Sequence, residues 1–377
     1  MTDYNDSPYG HWVVAGKKYY NKLQAVADAV PHGWWPHFWF HEDKFSLCNW
    51  TLEPSESLDN LYLRRARNLR EKYNHISIYF SGGGDSSTAL YSFLKQGLHV
   101  DLVLHNFVDL VDFGVDDKDA SNIHIEAKHQ AYPWFKKFQE LDPTMQWQLN
   151  YTADIIRDGW SAGPVDPYFY NVFNVNLMNK TPGQGWDILK NVPASNAAVI
   201  FGLDKPNLFF ENNKFYLYFP ESRITHFALM ERRLLGLPYT DIPFYWDPEC
   251  SDLIIKQAHT VMKWFKQNPK MLPLISNRHY RSDLYNKIVK RLIYPDYLED
   301  WQTENPQGLY YMNTEKWFHE GTEHTQYKKN WNKSMQALSD SVDSLLIGTE
   351  FESFIQKEGG YSIMANGWSK LYYIGSL

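Results

Sequence analysis

The run Ile76-Ser77-Ile78-Tyr79-Phe80 is apolar and β-branched, and it stops abruptly in Ser81-Gly82-Gly83-Gly84. Asp85-Ser86-Ser87 follows, ahead of apolar residues at helical spacing: Leu90, Phe93 and Leu94. Three consecutive glycines permit positive φ and let a ligand approach the backbone without meeting a Cβ. The amides beyond them point out of a helix N-terminus, where the macrodipole favours an anion. Strand, glycine turn and helix start together make a phosphate cradle, and that order commits the middle of the chain to an α/β fold.

The surrounding pattern agrees. A helix is predicted over residues 86–96, closed by Gly97, then a second strand at 100–105. An acidic loop (Asp109, Asp112, Asp116, Asp117, Asp119) leads to a helix over 121–141 that Pro133 could disturb, and a third strand is predicted at 146–151. Residues 197–201 read as a further buried strand, and 208–210 with 215–219 as a hairpin. Strands alternating with helices predict a parallel sheet flanked by helices, with ligands beyond the C-terminal strand ends.

The flanks differ in character. Residues 1–74 read as a small α+β region, with a hairpin around Ala15-Gly16-Lys17 and a helix through Leu23, Val26, Ala27 and Val30. A strand-like aromatic stretch spans 34–45, and a helix capped by Ser57 presents Leu58, Leu61, Tyr62, Ala66 and Leu69 on one face. Its other face carries Arg64, Arg65, Arg67 and Arg70, which reads as a solvated face or as an anion-binding one. Beyond residue 220 the pattern is mainly helical, at 225–235, 251–267 and 283–292. A tail hairpin is expected, pairing 361–364 with 370–374 around Asn366-Gly367. The expected division is therefore 1–74, an α/β domain over 75–220 that holds the glycine loop, and a mainly helical region over 221–377 that completes its ligand site.

Two familiar phosphate loops are excluded by the residues. A Walker loop needs Gly-Lys-Ser/Thr at its end, yet position 85 is Asp and no Lys follows before Lys95. A dinucleotide fingerprint needs a third glycine where Ser87 stands. The pattern S-G-G-x-D-S, by contrast, is met at every fixed position by Ser81 to Ser86. In this the sequence resembles the PP-loop, or N-type ATP pyrophosphatase, superfamily, whose members include asparagine, GMP, NAD and argininosuccinate synthetases. The extra serine, Ser87, looks most like the asparagine synthetase branch. The order of strands and helices extends the likeness over residues 76–206.

The resemblance implies cleavage of ATP between the α and β phosphates with Mg²⁺ as cofactor. A carboxylate becomes an adenylate, which ammonia or an amine then attacks. It implies hydroxyls from Ser81, Ser86 and Ser87, amides from Gly82, Gly83 and Gly84, and Asp85 beside Mg²⁺. Asp85 or Ser86 could instead be only a helix cap. Gly202-Leu203-Asp204-Lys205-Pro206 partly matches a second acidic glycine motif of asparagine synthetases. That match would make Asp204 a metal ligand and Lys205 a phosphate contact; the alternative is a surface β-turn. By position in the family, Asn106 at the end of the second strand borders adenine, and Lys370 could close over the site.

The likeness stops short of the glutaminase domain. Thr2 stands where the family has a nucleophilic cysteine, and the stretch before the loop is too short for that domain. Nitrogen is then expected from free ammonia, an amine substrate or a separate glutaminase. Two other functions stay open: a PP-loop enzyme that modifies a nucleobase or nucleic acid, and a nucleotide-binding protein without turnover. Against nucleic acid stands the balance of 37 basic and 44 acidic residues, a net charge of −7. Cys48 and Cys250 are the only cysteines, too few for a disulfide framework and far apart in sequence for a thiolation pair, and suggest a reducing cytoplasm. No apolar run is long enough for a membrane span or a signal peptide.

Overall fold

The computed structural model describes residues 10–19, 22–34, 36–107, 131–151, 196–202, 205–220, 240–277, 283–294 and 368–377. The predicted first hairpin is present: β1 (His11–Val14) and β2 (Lys17–Tyr19) pair antiparallel across Ala15-Gly16, with both turn residues at positive φ. Helix α1 (Lys22–Ala29) follows and stops in a 3₁₀ turn at Gly33, which takes the left-handed conformation. The aromatic stretch expected to be strand is only partly so. β3 (His37–Trp39) pairs with β1, whereas α2 (Glu42–Phe45) is a short helix entered through His41 at φ 47°. Phe40 and Phe45 both pack on Phe219, so burial of rings, not strand pairing, decides this segment.

Helix α3 (Leu58–Lys72) starts where the sequence signals it, with the Ser57 hydroxyl accepting the Asn60 amide at 3.2 Å. Its arginine face divides: Arg67 is exposed and Arg64 half-exposed, as the solvated reading expects, whereas Arg65 and Arg70 are turned to partners inside the molecule. Arg65 is buried and donates to the carbonyls of Pro243 and Phe244 and to Asp247. Arg70 pairs with Asp101 at 2.7 Å, Arg64 with Glu56 and Asp252, and Arg67 bonds Gln96. Four fixed guanidinium forks of this kind tie α3 to the body of the molecule.

That body is a parallel sheet. β4 (His75–Tyr79) leads to α4 (Gly84–Leu94), then β5 (Leu102–Phe107), α5 (Tyr132–Leu141), β6 (Gln146–Tyr151) and β7 (Ala197–Phe201). Pro133 lies in the first turn of α5, where a missing amide is tolerated. The stretch 121–130 predicted to precede it, the acidic loop and the expected helix at 225–235 lie outside the described residues. β8 (Asn207–Glu211) and β9 (Lys214–Tyr218) form the predicted hairpin, turning through Asn212 and Asn213 at positive φ.

One strand was not foreseen. β10 (Thr240–Pro243) lies in the region expected to be helical, yet it pairs parallel with β7. The sheet order is β10-β7-β4-β5-β6, with every pairing parallel. In order along the chain this is 3-2-1-4-5, the doubly wound arrangement whose direction of winding reverses between β4 and β7. Every residue of β7 is buried, as expected of a strand covered on both faces.

Helices α6 (Ser251–Gln267) and α7 (Asp283–Ile293) occur nearly as predicted and pack on each other, and α6 also packs on α3. The last described element falls where the second strand of the tail hairpin is expected. β11 (Tyr372–Ser376) pairs antiparallel with β9, giving a second small sheet of order β11-β9-β8. The expected partner strand, 361–364, lies outside the described residues. Elements from all three predicted regions thus share one core, and the fifth strand of the central sheet comes from beyond residue 220.

Candidate functional site

The chain leaves β4 at Phe80, whose amide bonds the Leu104 carbonyl at 2.8 Å, and turns within three residues into α4. Gly82 makes the turn at φ +80°, and a Cβ there would lie 2.8 Å from the backbone of Ala131. The helix begins at Gly84, two residues earlier than the sequence reading placed it. Gly83 takes the N-cap position without a side chain, and the first helical bond runs from the Ser87 amide to the Gly83 carbonyl at 2.9 Å. The amides of Gly84, Asp85 and Ser86 therefore have no carbonyl one turn back and lie at the positive end of the helix. This is the arrangement that receives an anion.

The serines divide the work. Ser81 is exposed, and its hydroxyl lies 3.3 Å from the Gly83 amide. Ser86 is buried, donates to the Gly83 carbonyl at 3.1 Å and accepts the Ser81 amide at 3.2 Å, so it ties the ends of the loop together. Ser87 is fully buried, with its hydroxyl on the Gly82 carbonyl. That hydroxyl is turned into the loop.

Asp85 is the meeting point. Its Oδ1 accepts the Tyr294 hydroxyl, its Oδ2 stands 3.6 Å from the ammonium of Lys205, and its carbonyl accepts the Tyr245 hydroxyl at 2.6 Å. Lys205 is only 7% exposed. The surface β-turn alternative for this stretch therefore fails at Lys205, whose charge is kept inside beside Asp85. Gly202, at the end of β7, comes closer still. A Cβ on it would sit 2.8 Å from the Ser86 nitrogen and 2.9 Å from the Asp85 carbonyl carbon. Two stretches about 120 residues apart in the chain are thus pressed together at the reversal point of the sheet, the position where ligands bind in folds of this class.

Other sequence-predicted residues fall as follows. Asn106 is the penultimate residue of β5, one strand over, with its backbone in register with Asn150 of β6. Asp204 lies outside the described residues. Lys370 is elsewhere: its ammonium bonds the Ser46 hydroxyl at 3.2 Å and its amide bonds Glu42, so its hydrogen bonds hold the tail to α2 instead of the loop. His259 has a structural place, bonded to the Trp50 carbonyl at 2.9 Å. Cys250 is buried, and burial pushes its thiol up to about 11, which is the opposite of an activated nucleophile.

No family model and no curated protein matches this chain.

Sequence reasoning missed both tyrosines on Asp85. Neither Tyr245 nor Tyr294 sits in a motif, and both come from the C-terminal region. It also missed His105, which donates from Nδ1 to the Phe80 carbonyl at 2.6 Å and stacks on Trp147. Burial lowers its pKa, so it stays neutral and acts as a brace at the strand end.

The donor set is the test of the implied ligands. Among the described residues there is no group of three or more His, Cys, Asp or Glu that could cage a metal. One carboxylate beside helix-start amides is instead what Mg²⁺ uses when phosphate oxygens and water complete its shell. Bare glycine backbone, an exposed hydroxyl and one buried lysine suit a polyphosphate. The residues present fit Mg²⁺ and a nucleotide phosphate. Among the described residues no helix is long and apolar enough to cross a membrane.

Proposed function

We propose that this chain is a PP-loop ATP pyrophosphatase that adenylates a carboxylate and forms an amide with ammonia or an amine. The observation that carries the reading is the convergence of Gly202 and Lys205 on Asp85 and Ser86. A mere anion-binding turn needs no second acidic glycine stretch packed against its helix start, and a buried lysine there answers to phosphate charge.

In this reading the pyrophosphate end of ATP rests on the amides of Gly84, Asp85 and Ser86 and on the Ser81 hydroxyl. Gly83 brings no side chain to the approach, while the bare backbone of Gly82 makes room for Ala131. Lys205 offsets negative charge that grows on the leaving oxygen, a task of fixed electrostatics. Backbone at Asn106 borders the adenine. Mg²⁺, when bound at Asp85 with Asp204 as a second carboxylate, neutralises the pyrophosphate. The carboxylate oxygen of the acceptor attacks the α-phosphorus, and the bond from that phosphorus to the bridging oxygen breaks. The amine nitrogen then attacks the acyl carbon and AMP departs, with the nitrogen's proton passing to solvent. Holding these groups in line is the protein's main contribution.

Phosphorus NMR of the full chain with ATP, Mg²⁺ and pooled amino and organic acids tests this. AMP with pyrophosphate is the expected product pair; ADP with phosphate would refute the reaction class. Asp85→Asn abolishes turnover while the melting transition persists, and retained turnover would remove Asp85 from the site.

A further inference from the structure

We infer that Tyr294 is a positioning residue that presents one oxygen of Asp85 to the divalent cation, an inference that rests on the loop being a metal–pyrophosphate site. Tyr294 caps the end of α7, its amide bonded to the Lys290 carbonyl at 3.1 Å, and it is only 6% exposed. Its hydroxyl donates to Oδ1 of Asp85. Oδ2 has Lys205 at 3.6 Å, an ion pair beyond hydrogen-bond range. One oxygen is therefore engaged by a neutral donor, and the other faces positive charge with lone pairs available to a cation.

The end of α7 is itself fixed. The Tyr62 hydroxyl donates to the Ile293 carbonyl at 2.7 Å and accepts from Gln257 at 3.0 Å. About two and a half turns earlier, the Tyr285 hydroxyl donates to the Pro206 carbonyl at 2.6 Å and accepts the Leu208 amide at 3.2 Å. A single helix thus holds the carboxylate through Tyr294 and the strap that carries Lys205 through Tyr285. A third tyrosine, Tyr245, holds the Asp85 carbonyl, and its ring centroid lies 6.2 Å from that of Tyr294. A carboxylate held this way cannot rotate freely. A neutral phenol orients it without opposing the charge of a metal, as partners of ligating carboxylates do.

The test is Mn²⁺ binding to the full chain in the presence of ATP, followed by electron paramagnetic resonance. Tyr294→Phe keeps the ring and removes only the hydroxyl. The expected result is a Mn²⁺ affinity about 10- to 100-fold lower, with metal-free ATP binding unchanged. Equal Mn²⁺ affinity in wild type and Tyr294→Phe refutes the inference alone. A wild-type chain that binds no Mn²⁺ refutes the loop reading, and the inference with it. A double-mutant cycle of Tyr294→Phe with Asp85→Asn, read by melting, gives non-additive effects if the two side chains are linked; additive effects overturn the link.

Discussion

Replacing Gly202 by alanine puts a Cβ 2.8 Å from the Ser86 nitrogen and 2.9 Å from the Asp85 carbonyl carbon, where ordinary contact begins near 3.4 Å. Both neighbours are backbone in the first turn of α4, so no flexible side chain can yield. The start of α4 must recede by several tenths of an ångström. Overpacking of this sort costs about 1–3 kcal/mol. The functional effect is larger in the proposed reading, because the atoms that move are the amides assigned there to the anion. Misplacement approaching 1 Å lowers a rate by about 100-fold. Gly202→Ala is therefore expected to melt a few degrees lower and to lose at least tenfold in ATP affinity by calorimetry, at the lower end of that scale. Gly97→Ala is the control. Gly97 sits at φ +69° with nothing within 4 Å of an added Cβ, so it incurs only the left-handed penalty of about 1–2 kcal/mol. The two variants then lose similar stability, and only Gly202→Ala loses ATP. Wild-type ATP affinity in Gly202→Ala would refute the reasoning.

Two further predictions concern stability. Arg65→Leu leaves the Asp247 carboxylate and two carbonyls buried without their donor and is expected to cost about 3–5 kcal/mol in urea unfolding; a loss below about 1 kcal/mol would show the network to be dispensable. At acid pH, Asp247 and Asp101 should act together. Burial opposes their ionisation, but Arg65 and the Glu249 amide hold Asp247 below the usual 3.8, and the Ile76 amide with Arg70 does the same for Asp101. A lowered folded value means that stability is fully present above the unfolded value and is lost as pH falls through the folded one. The contribution of these two carboxylates should thus be level near neutrality and decline below about pH 4; Asp101→Asn should make the decline in that range shallower, and an unchanged slope would discount its share.

Much of the sheet could be read from the chain because its strands are short apolar runs bounded by clear breakers. β4 stops at three glycines, and β7 is an unbroken Ala-Ala-Val-Ile-Phe. β10 escaped because Thr240-Asp241-Ile242-Pro243 has one strongly apolar residue and a proline. It is tolerated since β10 is the sheet's edge, where a missing amide breaks no ladder. The inward part of the arginine face was missed for a different reason. Helical spacing says which residues share a side of α3, but the partners of Arg65 are supplied near residue 245, and no local pattern carries that information. The same holds for the site. The loop declares itself through glycine and serine chemistry, which is local. Tyr245 and Tyr294 are ordinary tyrosines until the fold sets them on Asp85, so half of that carboxylate's surroundings was invisible in sequence.

The pairing of β11 with β9 has a consequence for synthesis on the ribosome. Phe219, just after β9, bonds Ser369, 150 residues further along. At about 5–20 residues per second, the outer edge of β9 waits roughly ten to thirty seconds for its partner. During that interval Phe215, Leu217 and Phe219, all buried once folded, flank a row of open backbone groups that another nascent chain could pair with. A late-arriving strand makes this edge the point at which expression conditions, such as slower translation or chaperone supply, decide between folded and aggregated product.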